Sequence, residues 1–122
     1  PCRDFLPAMQ ADVMLQYEKK ILIIDAKYYK RILREHYGKQ TLYSSNLYQI
    51  FTYVKNKEAQ LAGQGYQVSG LLLYAGTEEE EKPRADYHMS GNRIGVRTLD
   101  LGGDFADIRS ALDGIAEDYL GV

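Results

Sequence analysis

The sequence predicts a small α/β domain with a mixed sheet flanked by helices. Three observations carry this. Apolar runs stand at 21–26 and 68–75, the second containing Leu71-Leu72-Leu73 without polar alternation, as in a strand buried on both faces. Two further stretches repeat apolar residues at helical spacing. The second apolar run follows the first helical stretch, so a buried strand reached through a helix implies a mixed sheet covered by helices.

Each element is justified in turn along the chain. Residues 11–17 alternate loosely, 21–26 form an apolar β-branched run, and Glu18, Lys19 and Lys20 lie between them. This reads as a hairpin, although its turn lacks an Asn-Gly or Asp-Gly pair. Ser44 or Ser45 is placed to cap a helix reaching about residue 62, with Leu47, Ile50, Phe51, Val54 and Leu61 as its apolar stripe. Gly63-Gln64-Gly65 ends it. After the strand at 68–75, residues 76–84 form a charged loop with four consecutive glutamates. Strands at 85–90 and 93–99 flank Gly91-Asn92, a hairpin signal. Gly102-Gly103-Asp104 opens a last helix, whose apolar face is Phe105, Ile108, Leu112, Ile115 and Tyr119. The expected order is β-β-α-β-β-β-α.

At 122 residues the chain is expected to be one domain, 1–122, able to bury a core without metal or disulfide staples. Cys2 is the only cysteine, which excludes an internal disulfide and fits a reducing cytoplasm. No apolar run approaches the roughly 18 residues of a membrane span, so no membrane association is expected. The chain opens at Pro1 without a methionine, and the expectation is a fragment of a longer subunit. The net charge of −2 is unevenly spread. Lys19, Lys20, Lys27, Lys30, Arg31, Arg34 and Lys39 face only Asp25 and Glu35 over the same stretch, whereas the last third is acidic. A basic stretch of this kind suits local contact with a phosphate backbone. Lys30, Arg31, Arg34 and Tyr28 are the candidate DNA contacts, the tyrosine by stacking on a base or bonding to phosphate. A solvated face is the competing explanation for the charges.

The informative constellation is Asp12 with Asp25-Ala26-Lys27. A two-residue turn at Glu18 and Lys19 pairs Tyr17 with Lys20, and the same register pairs Asp12 with Asp25. Side chains directly opposed have Cβ atoms about 5 Å apart. Asp25 and Lys27 are two apart on one strand and share a face. Two carboxylates so close repel unless a cation compensates them. Carboxylates, a backbone carbonyl and water suit magnesium, with manganese as a substitute, and the Ala26 carbonyl is the candidate backbone ligand. Lys27 is placed to orient a water or to neutralise charge developing on a phosphate. Asp25 also ends the apolar run Ile21-Leu22-Ile23-Ile24, and buried charges are rarely tolerated unless paired or metal-bound. A structural salt bridge between Asp25 and Lys27 is the competing explanation. On the helix, Gln49 and Tyr53 are four apart and share a face. They lie away from the apolar stripe and are placed to reach a phosphate, a water or Lys27.

Three segments together resemble a known family. They are Leu6-Pro7-Ala8-Met9-Gln10-Ala11-Asp12, Ile23-Ile24-Asp25-Ala26-Lys27-Tyr28-Tyr29-Lys30 and Asn46-Leu47-Tyr48-Gln49-Ile50-Phe51-Thr52-Tyr53. With Gly70-Leu71-Leu72-Leu73-Tyr74 and the closing helix, they are similar to the C-terminal part of the McrC family, the nuclease subunits of the 5-methylcytosine-specific McrBC restriction system. The resemblance implies a restriction-endonuclease-like PD-(D/E)xK fold and a magnesium-dependent DNA endonuclease. By the same analogy Asp12 and Asp25 bind the metal and Lys27 is the catalytic lysine. Gln49 and Tyr53 resemble the Gln-x-x-x-Tyr helix motif of RecB-like members, which supports the site. The Pro-Asp element is not intact, because four residues separate Pro7 from Asp12. The resemblance further implies an McrB-like GTPase ring as partner, which recognises the methylated or modified DNA. No Gly-x-x-x-x-Gly-Lys-Ser/Thr loop occurs here, so the chain itself is not expected to bind GTP. Two alternatives stand beside this one: a RecB-like end-dependent nuclease, and a degenerate nuclease fold that only docks on the GTPase.

Overall fold

A computed structural model describes residues 13–28, 39–76 and 84–122 of the chain. Their elements follow the expected order: β1 (Val13–Tyr17), β2 (Lys20–Tyr28), α1 (Lys39–Gln60), β3 (Gln67–Gly76), β4 (Ala85–Met89), β5 (Asn92–Asp100) and α2 (Phe105–Leu120). The five strands form one sheet in the order β1-β2-β3-β5-β4. The inner strands β2, β3 and β5 run parallel, and the edge strands β1 and β4 are antiparallel to their neighbours. This is a mixed sheet flanked by helices, compatible with a restriction-endonuclease-like fold.

Burial on both faces explains why β2 and β3 read as apolar runs. Ile21, Ile23, Val68, Leu72, Tyr74, Ile94 and Val96 pack with Ile50, Tyr53 and Val54 of α1. Leu22, Ile24, Leu71, Leu73 and Leu99 point the other way and pack with Ile115, Tyr119 and Leu120 of α2. The two helices thus cover opposite faces of the sheet. Among the described residues no helix is long and apolar enough to cross a membrane.

The first hairpin has the register expected of a two-residue turn, from Tyr17↔Lys20 through Val13↔Ile24, with Glu18 at a φ of 54°. Three elements differ from expectation. Helix α1 starts at Lys39, five residues before Ser44. Lys39-Gln40-Thr41-Leu42-Tyr43 contains no glycine or proline to stop a helix, so serine capping is not needed there. The second hairpin turns on Ser90 and Gly91, not on Gly91-Asn92, because these two carry the positive φ values (49° and 86°) that a type I′ turn requires. Asn92 instead begins β5, where its buried amide donates to the Val68 carbonyl at 3.0 Å and to Glu58 Oε2 at 2.9 Å, tying α1 to the sheet. Finally, α2 buries only the C-terminal half of its expected face. Its N-cap Asp104 accepts from the Asp107 amide, but Phe105 is 75% exposed and Leu112 43%.

The α2 face of β5 carries a charged network. Asp118 of α2 bridges Arg93 and Arg97, each at 2.9 Å, and Arg93 stacks on the Tyr119 ring at 3.9 Å. The Arg93 hydrogen bond is the main cause holding the Asp118 carboxyl below its ordinary value of 3.8, and Arg97 adds to it. A depressed carboxylate contributes stability that is present above its unfolded pKa and lost as pH falls through the lower folded value. Unfolding midpoints in urea are therefore expected to fall as the pH drops below about 4, and Asp118→Asn is expected to flatten that fall. An unchanged acid limb in the variant contradicts this assignment.

Candidate active site

Two parallel strands end in polar side chains on the same face of the sheet, the one covered by α1. On β2 these are Asp25 and Lys27, which continue the Ile21, Ile23 row. On β3 it is Tyr74, which continues the row of Leu72. In the β2–β3 register Asp25 lies opposite Leu72 and Lys27 opposite Tyr74. Helix α1 lies over this face and contributes Asn46, Gln49 and Tyr53. The carboxyl ends of parallel strands are the usual place for a site in an α/β sheet, because the chain leaves the layer there and opens a crevice.

Asp25, on the face that α1 covers, is 6% exposed, whereas its neighbour Ala26 on the other face is exposed. Lys27 Nζ lies 3.5 Å from Asp25 Oδ2 and donates to Gln49 Oε1 at 3.1 Å. Gln49 in turn donates through Nε2 to the Tyr53 hydroxyl at 3.3 Å. The geometry bears on the salt-bridge explanation. A charge-assisted hydrogen bond is about 2.7–2.9 Å long. The Asp25–Lys27 separation is longer, and the shorter contact of the ammonium is to Gln49. Lys27 is therefore held at the site by the helix as well as by the carboxylate.

Tyr53 corrects one expectation. It does not lie away from the apolar stripe of α1 but is 8% exposed within the core under that helix. Its ring packs with Ile50 and Val54 while its hydroxyl reaches Gln49, as an amphipathic side chain allows. Gln49 itself is exposed.

The sequence reading missed two residues. Asn46 Nδ2 donates to the Tyr74 hydroxyl at 3.1 Å, and Tyr74 is fully buried. Burial pushes the Tyr74 phenol above its ordinary range; the Asn46 hydrogen bond opposes the rise, and the nearby Asp25 charge adds to it. The signal was present in both cases. Asn46 precedes Gln49 and Tyr53 by three and seven residues, the spacing of one helix face. Tyr74 ends the Leu71-Leu72-Leu73 run as Asp25 ends its own.

Several expected residues fall elsewhere. Asp12, Lys30, Arg31 and Arg34 lie outside the described residues, as does the side chain of Tyr28, whose backbone closes β2. The described register of β1 and β2 runs from Tyr17↔Lys20 to Val13↔Ile24. Among the described residues no group of three or more His, Cys, Asp or Glu side chains is placed to hold a metal ion. The donors described at the site, the Asp25 carboxylate and the Ala26 carbonyl, are hard oxygens. They fit magnesium or manganese and do not fit zinc or copper, which favour nitrogen and sulfur.

No protein-family model matches the chain. It is 35% identical over 117 residues, 96% of its own length, to the type IV methyl-directed restriction enzyme EcoKMcrBC of Escherichia coli K12. The chain spans 32% of the length of that curated relative.

Proposed function

Taking as premise that this chain belongs to the McrC family, we propose that it is the magnesium-dependent DNA endonuclease domain of a modification-dependent restriction system, hydrolysing phosphodiester bonds. The observation that carries this reading is the buried Asp25 beside a lysine that Gln49 holds at the mouth of the parallel strands. A restriction enzyme among its relatives supplies the reaction class, and the site supplies residues suited to it.

Asp25, the Ala26 carbonyl and Asp12 would hold the cation. Magnesium, when bound, supplies polarisation of a phosphoryl oxygen and a water of lowered pKa. The protein's own groups do the rest. The Lys27 ammonium stands 3.5 Å from the carboxylate and can neutralise charge that develops on the phosphate. Gln49 fixes the ammonium by accepting its hydrogen bond, and Tyr53 fixes Gln49 from within the core. Such a relay limits the positions Lys27 samples, and precise placement is worth a large part of a hydrolytic barrier. DNA is the substrate, with Lys30, Arg31, Arg34 and Tyr28 as proposed backbone contacts. An McrB-like GTPase ring is the proposed partner that recognises the modified base, and the cytoplasm is the compartment in which both would meet DNA.

The test is Lys27→Met in the full-length subunit with its GTPase partner, on covalently closed methylated plasmid. An end-dependent nuclease leaves closed circles uncut, so this substrate separates the two enzymatic readings. Cutting is expected to fall at least about a hundredfold, the scale for losing one group that stabilises transition-state charge. Calorimetric binding of manganese is expected to persist, because Lys27 is not a ligand. Cutting at the wild-type rate removes Lys27 from the chemistry.

A further inference from the structure

We propose that Tyr74 is a positioning residue for Asp25, oriented by Asn46, and that the pair tunes how tightly the site holds its divalent cation. The inference rests on the nuclease reading above and adds two residues to it.

Tyr74 is placed for this by the sheet. It lies directly opposite Lys27, and two residues beyond Leu72, the partner of Asp25. Its side chain shares their face, so Tyr74 and Asp25 are diagonal neighbours on the face that α1 covers. The position is fully buried, and a phenylalanine would fill nearly the same volume. Burying a hydroxyl costs free energy unless it is hydrogen-bonded, so packing alone does not account for it. Asn46 answers half of that requirement. Its amide donates to the phenol oxygen at 3.1 Å, which leaves the phenol proton to be donated in turn. Of the described carboxylates on this face, Asp25 and Asp100 are diagonal neighbours of Tyr74; Asp100 Oδ1 accepts from the Gly102 amide at 2.8 Å, and the Asp25 charge is the one felt at Tyr74, which makes Asp25 the proposed acceptor. Lys27 and Gln49 carry a separate chain of bonds, 3.1 Å and 3.3 Å long, that ends at Tyr53. Two polar relays thus reach the strand ends from α1. One holds the lysine, and the other runs through Asn46 and Tyr74 toward the carboxylate. Groups that orient a metal ligand typically change affinity about ten- to a hundredfold when removed.

The experiment uses the full-length subunit with its GTPase partner and compares Tyr74→Phe, Asn46→Ala, the double variant and Asp25→Ala. Manganese binding without DNA is measured by calorimetry, the magnesium requirement by plasmid cutting, and fold by circular dichroism. Tyr74→Phe is expected to weaken manganese binding about ten- to a hundredfold and to raise the half-saturating magnesium by a similar factor. Most of the cutting rate is expected to return at high magnesium. Asn46→Ala shifts both in the same direction, and adds nothing to Tyr74→Phe because it acts through the phenol oxygen. Unchanged manganese affinity in Tyr74→Phe, with Asp25→Ala devoid of binding, overturns the inference and leaves the nuclease reading standing. Additive losses in the double variant overturn the Asn46 relay. Manganese binding that survives Asp25→Ala overturns the nuclease reading itself. Should Tyr74→Phe unfold, Asn46→Ala on the part-buried helix face decides alone: an unchanged metal requirement rejects the proposal.

Discussion

Replacing Asp25 by alanine is expected to abolish plasmid cutting while the GTPase partner turns over at its normal rate. The loss is expected to reach about a thousandfold or more, since a metal's charge stabilisation is worth several kcal/mol and each 1.36 kcal/mol is tenfold. Stability points the other way. The carboxylate is 6% exposed, and its Lys27 contact of 3.5 Å is too long to repay much desolvation. Alanine removes a buried charge from a strand whose pairing with β3 continues to Tyr28↔Ala75. Thermal unfolding is therefore expected to shift little, the relief of a buried charge offsetting the contacts that the carboxylate makes. The measurement runs wild type and Asp25→Ala in parallel on methylated plasmid with magnesium, reading nicked and linear products and GTP hydrolysis in the same tubes. Lost cutting with intact GTP turnover assigns the chemistry to this residue. Equal cutting by both proteins places the nuclease elsewhere, and the domain becomes a docking module.

The strand positions of this site were legible because a strand has a period of two and a hairpin a constant register sum. Those rules alone set Asp25 and Lys27 on one face, and the β1–β2 register runs as they require from Tyr17↔Lys20 to Val13↔Ile24. The element order was legible for a related reason: strands buried on both faces, such as β3, contain no polar alternation. The helix was harder. An apolar stripe identifies the face of α1 that packs, but tyrosine belongs to both faces, since its ring is apolar and its tip is not. Tyr53 was thus read as surface although it sits in the core. Asn46 and Tyr74 were missed because their partnership crosses 28 residues of chain, and no periodicity links a helix residue to a strand residue. The exposed half of α2 has a similar origin. Apolar spacing marks which face of a helix is suited to burial, whereas the length of sheet beneath it decides how many turns are covered. Ile115, Tyr119 and Leu120 reach β2 and β5, and Phe105 does not.

Both relays depend on how closely α1 lies on the sheet, which makes Gly70 the second position of large effect. A Cβ built there would meet Val54 Cγ2 at 2.8 Å, Ile50 Cγ1 at 2.9 Å and Ile94 Cδ1 at 3.2 Å. The first two atoms belong to β-branched side chains that are fully buried and have little rotamer freedom, so the helix itself must move. Overpacking of this kind costs typically 1–3 kcal/mol, and Gly70→Ala is expected to fall in that range with Gly70→Val beyond it. For a domain of this size about 2 kcal/mol corresponds to a fall of roughly 8 °C in unfolding midpoint. Function is expected to suffer more than stability. Asn46 and Gln49 ride on α1, and their bonds of 3.1 Å to Tyr74 and Lys27 of the sheet do not survive a lift of even half an ångström unweakened. Cutting by Gly70→Ala is thus expected to drop at temperatures where circular dichroism still reports a folded protein. Val54→Ala in the same chain makes room for the new methyl group and is expected to restore part of both. The pair is read as a double-mutant cycle, in stability and in cutting. Strict additivity, with Val54→Ala deepening the Gly70→Ala defect, would mean that helix height over β3 does not set the geometry of the site.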